Sequence, residues 1–428
     1  MATSHPAATD EITVASETET TVWKRWFILG LLSVAAILAF ASRTNISAAL
    51  AYKGFVQDFN LDDIGRGLLN SAFFWSYAAL QIPMGWLVDR YGVKIPYAIS
   101  FVVWCLASAA TGMSHSLSQL TATRIVTGAG EAIVVPASYR WMRQNFREGQ
   151  MGLAIGIYMI GTKIGPAIGA PLAVALISMY NWRPMFLLIG LGGLVWLVPW
   201  LLMVRKDIPQ AKEGKKRGAT LPMSALLSSP VVWGTIVINF CYNYFVFYCM
   251  TWMPAYLVEK RHLSLGKMGA FQFFSFMGVA LVGVASGWAA DQTIKRGGDP
   301  VIVRKCFVIA GFAIAATELF GANATSLNVA LFWSLISLSG IGLATANHLA
   351  LCRMTLIPPG AAGMVTGIQT VSVALAGIVA PIISGWLLQE TGSYTAPMQV
   401  INFFLVLGLV TCIVVLREKW APKVRAAS

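Results

Sequence analysis

Apolar residues run through this chain in long blocks, without the alternating or one-faced patterns of a water-soluble fold. A helix needs about 20 mainly apolar residues to cross a bilayer. Blocks near 26–50, 66–88, 95–113, 117–138, 151–178, 185–204, 231–257, 268–290, 304–322, 328–350, 361–388 and 398–416 are close to or above that length. They predict an all-α membrane protein of twelve transmembrane helices. An even number of spans leaves both chain ends on one side. The longest polar interruption, 205–229, divides the spans six and six. The expected organisation is a disordered tail (1–25), a first six-helix bundle (26–204), a linker (205–230), a second six-helix bundle (231–416) and a short tail (417–428). Residues 1–22 are rich in Ser, Thr and Ala and lack the apolar core of a signal peptide.

Composition agrees: 57% of the residues are hydrophobic and 11% charged, against about 25% charged in soluble domains. Lys and Arg fall unevenly on the loops. With the first residues inside, inner segments hold 22 of them and outer loops 6. Positive loops stay cytoplasmic, so both termini are expected in the cytoplasm and the protein in the cell inner (plasma) membrane. The net charge of +13 is divided among short membrane-edge loops, which argues against nucleic acid as a partner. The six cysteines form no CxxC or Cys/His cluster, so neither disulfides nor metal is indicated. No HExxH, GxSxG or nucleotide-binding loop supports an enzyme, and no cofactor is expected beyond a coupling proton. The partners expected are the lipid bilayer and a small organic anion, handled by a monomer.

The halves echo each other. Gly85-Trp86-Leu87-Val88-Asp89 closes span two and Gly287-Trp288-Ala289-Ala290-Asp291 closes span eight, while Pro184-Met185 and Pro397-Met398 open spans six and twelve. Parallel repeats of six helices, with a site between them near the midplane, describe one transporter architecture. The first echo extends to Gly85-x-x-x-Asp89-Arg90-x-Gly92-x-Lys94. Glycine permits close helix approach, the aspartate can cap a neighbouring helix, and the cations hold the loop at the membrane edge. An ordinary positively charged turn is the plainer alternative. The pattern matches the signature loop of the major facilitator superfamily, which the chain resembles.

Within that superfamily the sequence resembles the anion:cation symporter family. The carriers are Arg43-Thr-Asn45, Ser71-Ala-Phe-Phe-Trp-Ser-Tyr77 with Gln81-Ile-Pro83, and Arg124-Ile-Val-Thr-Gly128-Ala-Gly-Glu131-Ala with Pro136. Asn181-Trp182-Arg183, Thr251-Trp252-Met-Pro254-Ala-Tyr256 and Gly377-Ile-Val-Ala-Pro381 with Gly385 follow in order. That resemblance implies two bundles of the major facilitator fold and bacterial relatives that carry sugar acids.

Charged groups deep in spans are functional candidates by default. Here they are Arg43, Arg124, Glu131 and Lys163, with Glu318 and His348 at less certain depth. Burial favours the neutral form of a carboxyl and a nearby cation favours the charged form, so Glu131 is placed to exchange a proton. The resemblance gives a glutamate here that role. A static pair with Arg124, seven residues earlier on the same face, is the alternative. Arg43 offers a rigid fork for a carboxylate and matches the family's anion-binding arginine, although it could instead pair with Glu131. Bacterial sugar-acid members usually have an aspartate where this chain has Ser42. One candidate proton carrier and a monoanion would make an electroneutral cycle.

Asn70, Phe74, Tyr77 and Gln81 form one stripe of span two, facing either a polar cavity or neighbouring helices. Lys163, beside Thr162 in span five, is a second candidate cation. It would suit a dicarboxylate, unless it snorkels to the interface. The second half supplies uncharged candidates: Tyr242 and Asn243 in span seven, Asn347 and His348 in span ten, Gln369 and Ser372 in span eleven. These suit a sugar acid such as an aldonate, aldarate or hexuronate. The dense aromatics of span seven leave open an aromatic carboxylate, and exchange or passive flux is a further alternative.

Overall fold

The structure, a computed structural model, describes residues 7–205 and 226–422, with side chains from Val22 onward except at 148, 149, 354 and 359–363. Among these residues the chain is all-helical, and twelve helices cross the membrane as two bundles of six. In the first bundle these are α1 (Ala7–Leu50), α2 (Asp63–Tyr91), α3 (Lys94–Thr111), α4 (Leu117–Glu131 continued by Val134–Asn145), α5 (Glu148–Tyr180) and α6 (Trp182–Met203). In the second they are α7 (Pro230–Thr251), α8 (Leu265–Lys295), α9 (Pro300–Asn323), α10 (Leu327–Arg353), α11 (Pro359–Thr391) and α12 (Thr395–Val414). Ten are long and apolar enough to qualify as spans alone; α2 and α4 are the others. α2 carries Asp63, Arg66, Asp89 and Arg90, and α4 is interrupted just after Glu131. Arg66 and Glu131 are buried among other helices, while Asp89 and Arg90 lie exposed at the end of α2.

The structure moves one boundary. Helix extends back to Ala7, where a disordered tail was expected through residue 25. Lengthening a helix already nucleated in the membrane costs little per residue. Most of the expected linker lies outside the described residues, as do 423–428 of the last tail.

Apolar side chains gain little by leaving lipid for one another, so helices here associate through small residues and close backbone approach. Gly161, Gly165 and Gly169 of α5 form a stripe against α1. A Cβ on Gly161 would lie 2.7 Å from the Ser33 carbonyl, and one on Gly165 2.7 Å from that of Ile37. Gly128 of α4 meets the Phe73 carbonyl and Ser76 hydroxyl of α2, and Gly130 faces the Ser100 carbonyl of α3. These contacts seat α4, and with it Glu131, between α1, α2 and α3.

The halves touch toward the membrane face opposite the chain ends, called here the distal face. Ile64 N donates to Gln389 Oε1 at 3.1 Å, Gly67 packs on the Pro381 carbonyl, and Phe74 lies over Gly377. α5 and α8 meet where Gly269 packs on Pro171 and Val174. Toward the other face α5 and α8 leave a groove between them. Ile160 and Ile164 look across an apolar groove at Met277, Leu281 and Trp288. Gly85, Gly152, Gly156 and Gly367 have no neighbouring atom within 4 Å of a notional Cβ.

Gly128→Ala is expected to cost about 1–3 kcal/mol through overpacking against α2, seen as a lower melting temperature of the purified protein in detergent. An unchanged melting temperature would mean that α2 and α4 can separate freely.

Candidate functional site

At the centre of the first bundle, Arg43 of α1 donates from Nε to Glu131 Oε2 of α4 at 2.9 Å. Both side chains are buried, Glu131 completely. The Ser42 hydroxyl donates to the second carboxylate oxygen, with the Ala39 carbonyl also in reach at 2.9 Å. Three rings box the Arg43 guanidinium: Phe40 at 4.2 Å, Phe73 at 4.9 Å and Tyr77 at 4.8 Å from ring centroid to Cζ. Because Nε meets the acid, the terminal N–H fork is not taken up by Glu131.

The alternative pairing of Glu131 with Arg124 is not found. Arg124 lies over Phe73 at 5.1 Å, its Nε has no hydrogen-bond partner, and it makes no ion pair within 4 Å among the described residues. The turn geometry explains the difference: Glu131 ends a helical segment, and the side chains of two neighbouring residues on α1 reach it first.

Tyr77 shares the ring box around Arg43, whereas Asn70 turns back to the Arg66 carbonyl of its own helix at 3.3 Å. Gln81, one turn beyond Tyr77, leaves a buried Nε2 without a partner. Lys163 does not snorkel along α5. Its Nζ reaches Tyr242 Oη of the second half at 3.4 Å and sits 5.7 Å from that ring's centroid. Thr162 beside it bonds the Met159 carbonyl at 2.7 Å.

The uncharged candidates of the second half largely satisfy one another. Tyr242 Oη shares a hydrogen bond with Thr345 Oγ1 at 2.8 Å, and its ring stacks on His348 at 4.5 Å. His348 Nδ1 pairs with the Ala344 carbonyl at 2.8 Å. Asn239 Nδ2 donates to the Gln369 carbonyl and to Ser372 Oγ, each at 2.8 Å. Asn243 donates to the Asn239 carbonyl at 2.7 Å, and Gln369 Oε1 accepts from Arg353 Nε at 2.6 Å. Asn347 stands apart, accepting from Arg304 at 3.4 Å, the same arginine that pairs with Asp291 at 2.9 Å.

Asp89 of the repeated loop takes an arginine as its partner among the described residues. It pairs with Arg140 of α4 at 2.6 Å, because that guanidinium comes down beside the end of α2. Lys94 Nζ holds the Leu201 carbonyl at 2.7 Å, Arg90 packs over Trp86 and Tyr91, and Gly92 adopts a positive φ of 81°. Gly85 faces open space on α2.

Two residues take roles that spacing did not reveal: Ser42, which stands where relatives carry an acid, and Arg66. Arg66 closes the distal face. It pairs with Glu259 across the halves at 2.8 Å and with Asp63 at 3.0 Å, donates to the Leu50 carbonyl at 3.0 Å and lies 5.2 Å from the Trp252 ring. Tyr394 Oη donates to Glu259 at 2.5 Å. No local pattern links residues 193 positions apart; an acid-aromatic pairing with Arg66 emerges only once the bundles face each other.

The profile of the Major Facilitator Superfamily matches residues 32–351. The chain belongs to that superfamily. It is therefore a multi-pass membrane transport protein and not an enzyme. It is 28% identical to the probable sulfoacetate transporter SauU of Cupriavidus necator, covering 90% of this chain and 92% of that one. It is 27% identical to the D-galactonate transporter of Escherichia coli (86% and 90% covered) and to the hexuronate transporter of Bacillus subtilis (86% and 89%). A bacterial homologue of the human lysosomal transporter Spinster superposes with a TM-score of 0.73 at 16% identity, covering 93% of this chain and 99% of that one; at that identity the likeness speaks for the fold.

Glu259→Gln is expected to loosen the distal seal. Labelling of a cysteine introduced at Phe74 by a membrane-impermeant reagent applied from the distal side should rise about fivefold, the equivalent of about 1 kcal/mol for an ion pair at the water boundary. Unchanged labelling would assign closure to helix packing alone.

Proposed function

We propose that this transporter moves a small organic acid, of the aldonate, aldarate or hexuronate type, together with a proton. Both termini would lie in the cytoplasm of a cell whose inner membrane it spans. The observation that carries this reading is the buried Arg43–Glu131 pair. It is the one ion pair at mid-depth among the described residues, and its cation has a fork that a carboxylate fits. Relatives that handle galactonate and hexuronate support the cargo class.

The chemistry is competitive. While Glu131 is ionised it neutralises Arg43, and an incoming carboxylate would have to displace a fixed negative charge. Protonation of Glu131 removes that competitor and leaves a buried cation uncompensated, a state costing several kcal/mol. The cargo carboxylate then supplies the missing charge. When the proton leaves on the inner side, Glu131 reclaims Arg43 and the cargo is released. Ser42 keeps both states hydrogen-bonded. Its hydroxyl donates to the ionised carboxylate; when the acid carries the proton, it can accept from it and turn its own O–H to the Ala39 carbonyl. Either way no buried polar group is stranded. Only the loaded, protonated and the empty, ionised forms are neutral at this pair, so only they cross between the two access states readily.

Glu131→Gln fixes the neutral form. In proteoliposomes accumulation driven by an imposed proton gradient should fall at least about tenfold, while cargo-for-cargo exchange persists. Accumulation unchanged by the substitution would remove Glu131 from the coupling step. Arg43→Lys keeps the charge and loses the fork, so cargo binding by thermal shift should weaken about ten- to a hundredfold, the loss of a charge-assisted hydrogen bond. Near-normal binding would place the carboxylate elsewhere.

A further inference from the structure

Deep within its spans the first bundle holds three cations, Arg43, Arg124 and Lys163, and one acid, Glu131, among the described residues; the buried acid of the second bundle, Glu318, lies near the distal end of α9 and accepts from Ser334 at 2.8 Å. The five ion pairs of the described structure use Arg43, Arg66, Arg140 and Arg304; Arg124 and Lys163 appear in none. The groups around Lys163 in the second half are Tyr242, Thr345 and His348, with Arg353 further along α10 and no carboxylate. The site therefore carries surplus positive charge whenever it is empty, and more when Glu131 is protonated. Uncompensated cations in a low-dielectric interior are costly unless a mobile anion completes them.

We infer that the cargo carries two anionic groups, one held by Arg43 and the other by Lys163. This rests on the reading that Arg43 binds a cargo carboxylate and narrows that cargo from acids in general to two-ended acids. The packing of α5 on α1 sets the span. Gly161 sits against Ser33 and Ala36, and Gly165 against Ile37, Phe40 and Ala41, so the two helices run parallel and Lys163 is level with about residue 37. Arg43 then lies roughly 8–9 Å further along the axis. A cargo that meets both cations therefore reaches between two levels of the site. The Lys163 ammonium is a flexible point charge, already held at the boundary between the halves by Tyr242 at a loose 3.4 Å. A second anionic group would replace this weak contact with a charge-assisted one. The same anion would bring Tyr242, and with it the stacked His348 and Thr345, onto the cargo from the second half.

The test is a set of matched pairs in purified protein: tartrate against threonate, and galactarate against galactonate, with dissociation constants read by thermal shift at one pH. The wild type should bind at least one diacid about tenfold or more tightly than its matched monoacid. Lys163→Gln should erase that preference and Lys163→Arg should keep it. Equal affinities in the wild type, or a preference that survives in Lys163→Gln, would overturn the inference. Monoacids that bind as well as diacids would leave the sugar-acid reading intact while removing this one; failure of all four acids to bind would remove both. The wild-type comparison decides the matter even where a variant does not fold.

Discussion

A carboxylate and a guanidinium in hydrocarbon must compensate each other or be compensated by something else, and the Arg43–Glu131 pair is where this chain meets that constraint. The surrounding packing serves it. The glycine stripe of α5 brings α1 in close, and Gly128 and Gly130 wedge α4 between α2 and α3. The α4 break immediately after Glu131 ends the helix at the acid. Three aromatic rings cover the guanidinium faces, leaving its edge as the reactive part. An interaction that costs several kcal/mol to break is a poor structural brace in a moving protein. It is a good device for refusing to move until another anion takes its place.

The distal seal works on the opposite scale. Arg66 is buried, but its partner Glu259 is 30% exposed and Asp63 29%. Pairs at a water boundary contribute about 0–1 kcal/mol, and the rest of the closure is backbone approach at Gly67, Gly377 and Gly385. A closure made of weak, local contacts can open and re-form on each cycle. The energetic decision is thus concentrated at the centre, and the gate follows it. The Asp89–Arg140 and Asp291–Arg304 pairs at the other face are likewise half open to water, with the acids 77% and 59% exposed.

The twelve spans were legible because lipid imposes one rule on every helix: length and apolarity. Even α2 and α4, too polar to stand out by hydropathy, could be placed, since their neighbours and the six-plus-six division left a gap of the right size. The depth of Arg43, Arg124, Glu131 and Lys163 was also legible, because a charge inside an apolar run cannot be elsewhere. What each charge meets was not. Arg124 and Arg43 are chemically alike, and only the register of α1 against α4 decides which reaches Glu131. Asn70 and Asn347 show the same limit: an amide on an interior helix can serve a cavity, its own backbone or an arginine on the next helix, and spacing alone does not choose. The Arg66–Glu259 seal depended on how two bundles face, information that no stretch of sequence holds.

The Arg43–Glu131 pair and Lys163 belong to the first bundle, while the facing side of the second is a network of uncharged side chains tied at one end to Arg353. Asn239, Asn243, His348, Gln369 and Ser372 bond to one another and to backbone, and Gln369 also accepts from Arg353. A network satisfied within one rigid body has nearly the same energy whichever way that body leans, so rocking the second bundle does not strip water from a charge or strand a donor. The conformational energy then depends on what the first bundle presents at the boundary. There the Lys163–Tyr242 contact is the one hydrogen bond at mid-depth, among those described, that joins the two halves. An empty site offers the second bundle a loose cation against a phenol, and a filled one offers it cargo. Division of labour between the half that holds the central pair and the half that holds the network is in this sense what makes occupancy, and not the lean of the helices themselves, the variable that sets the next state.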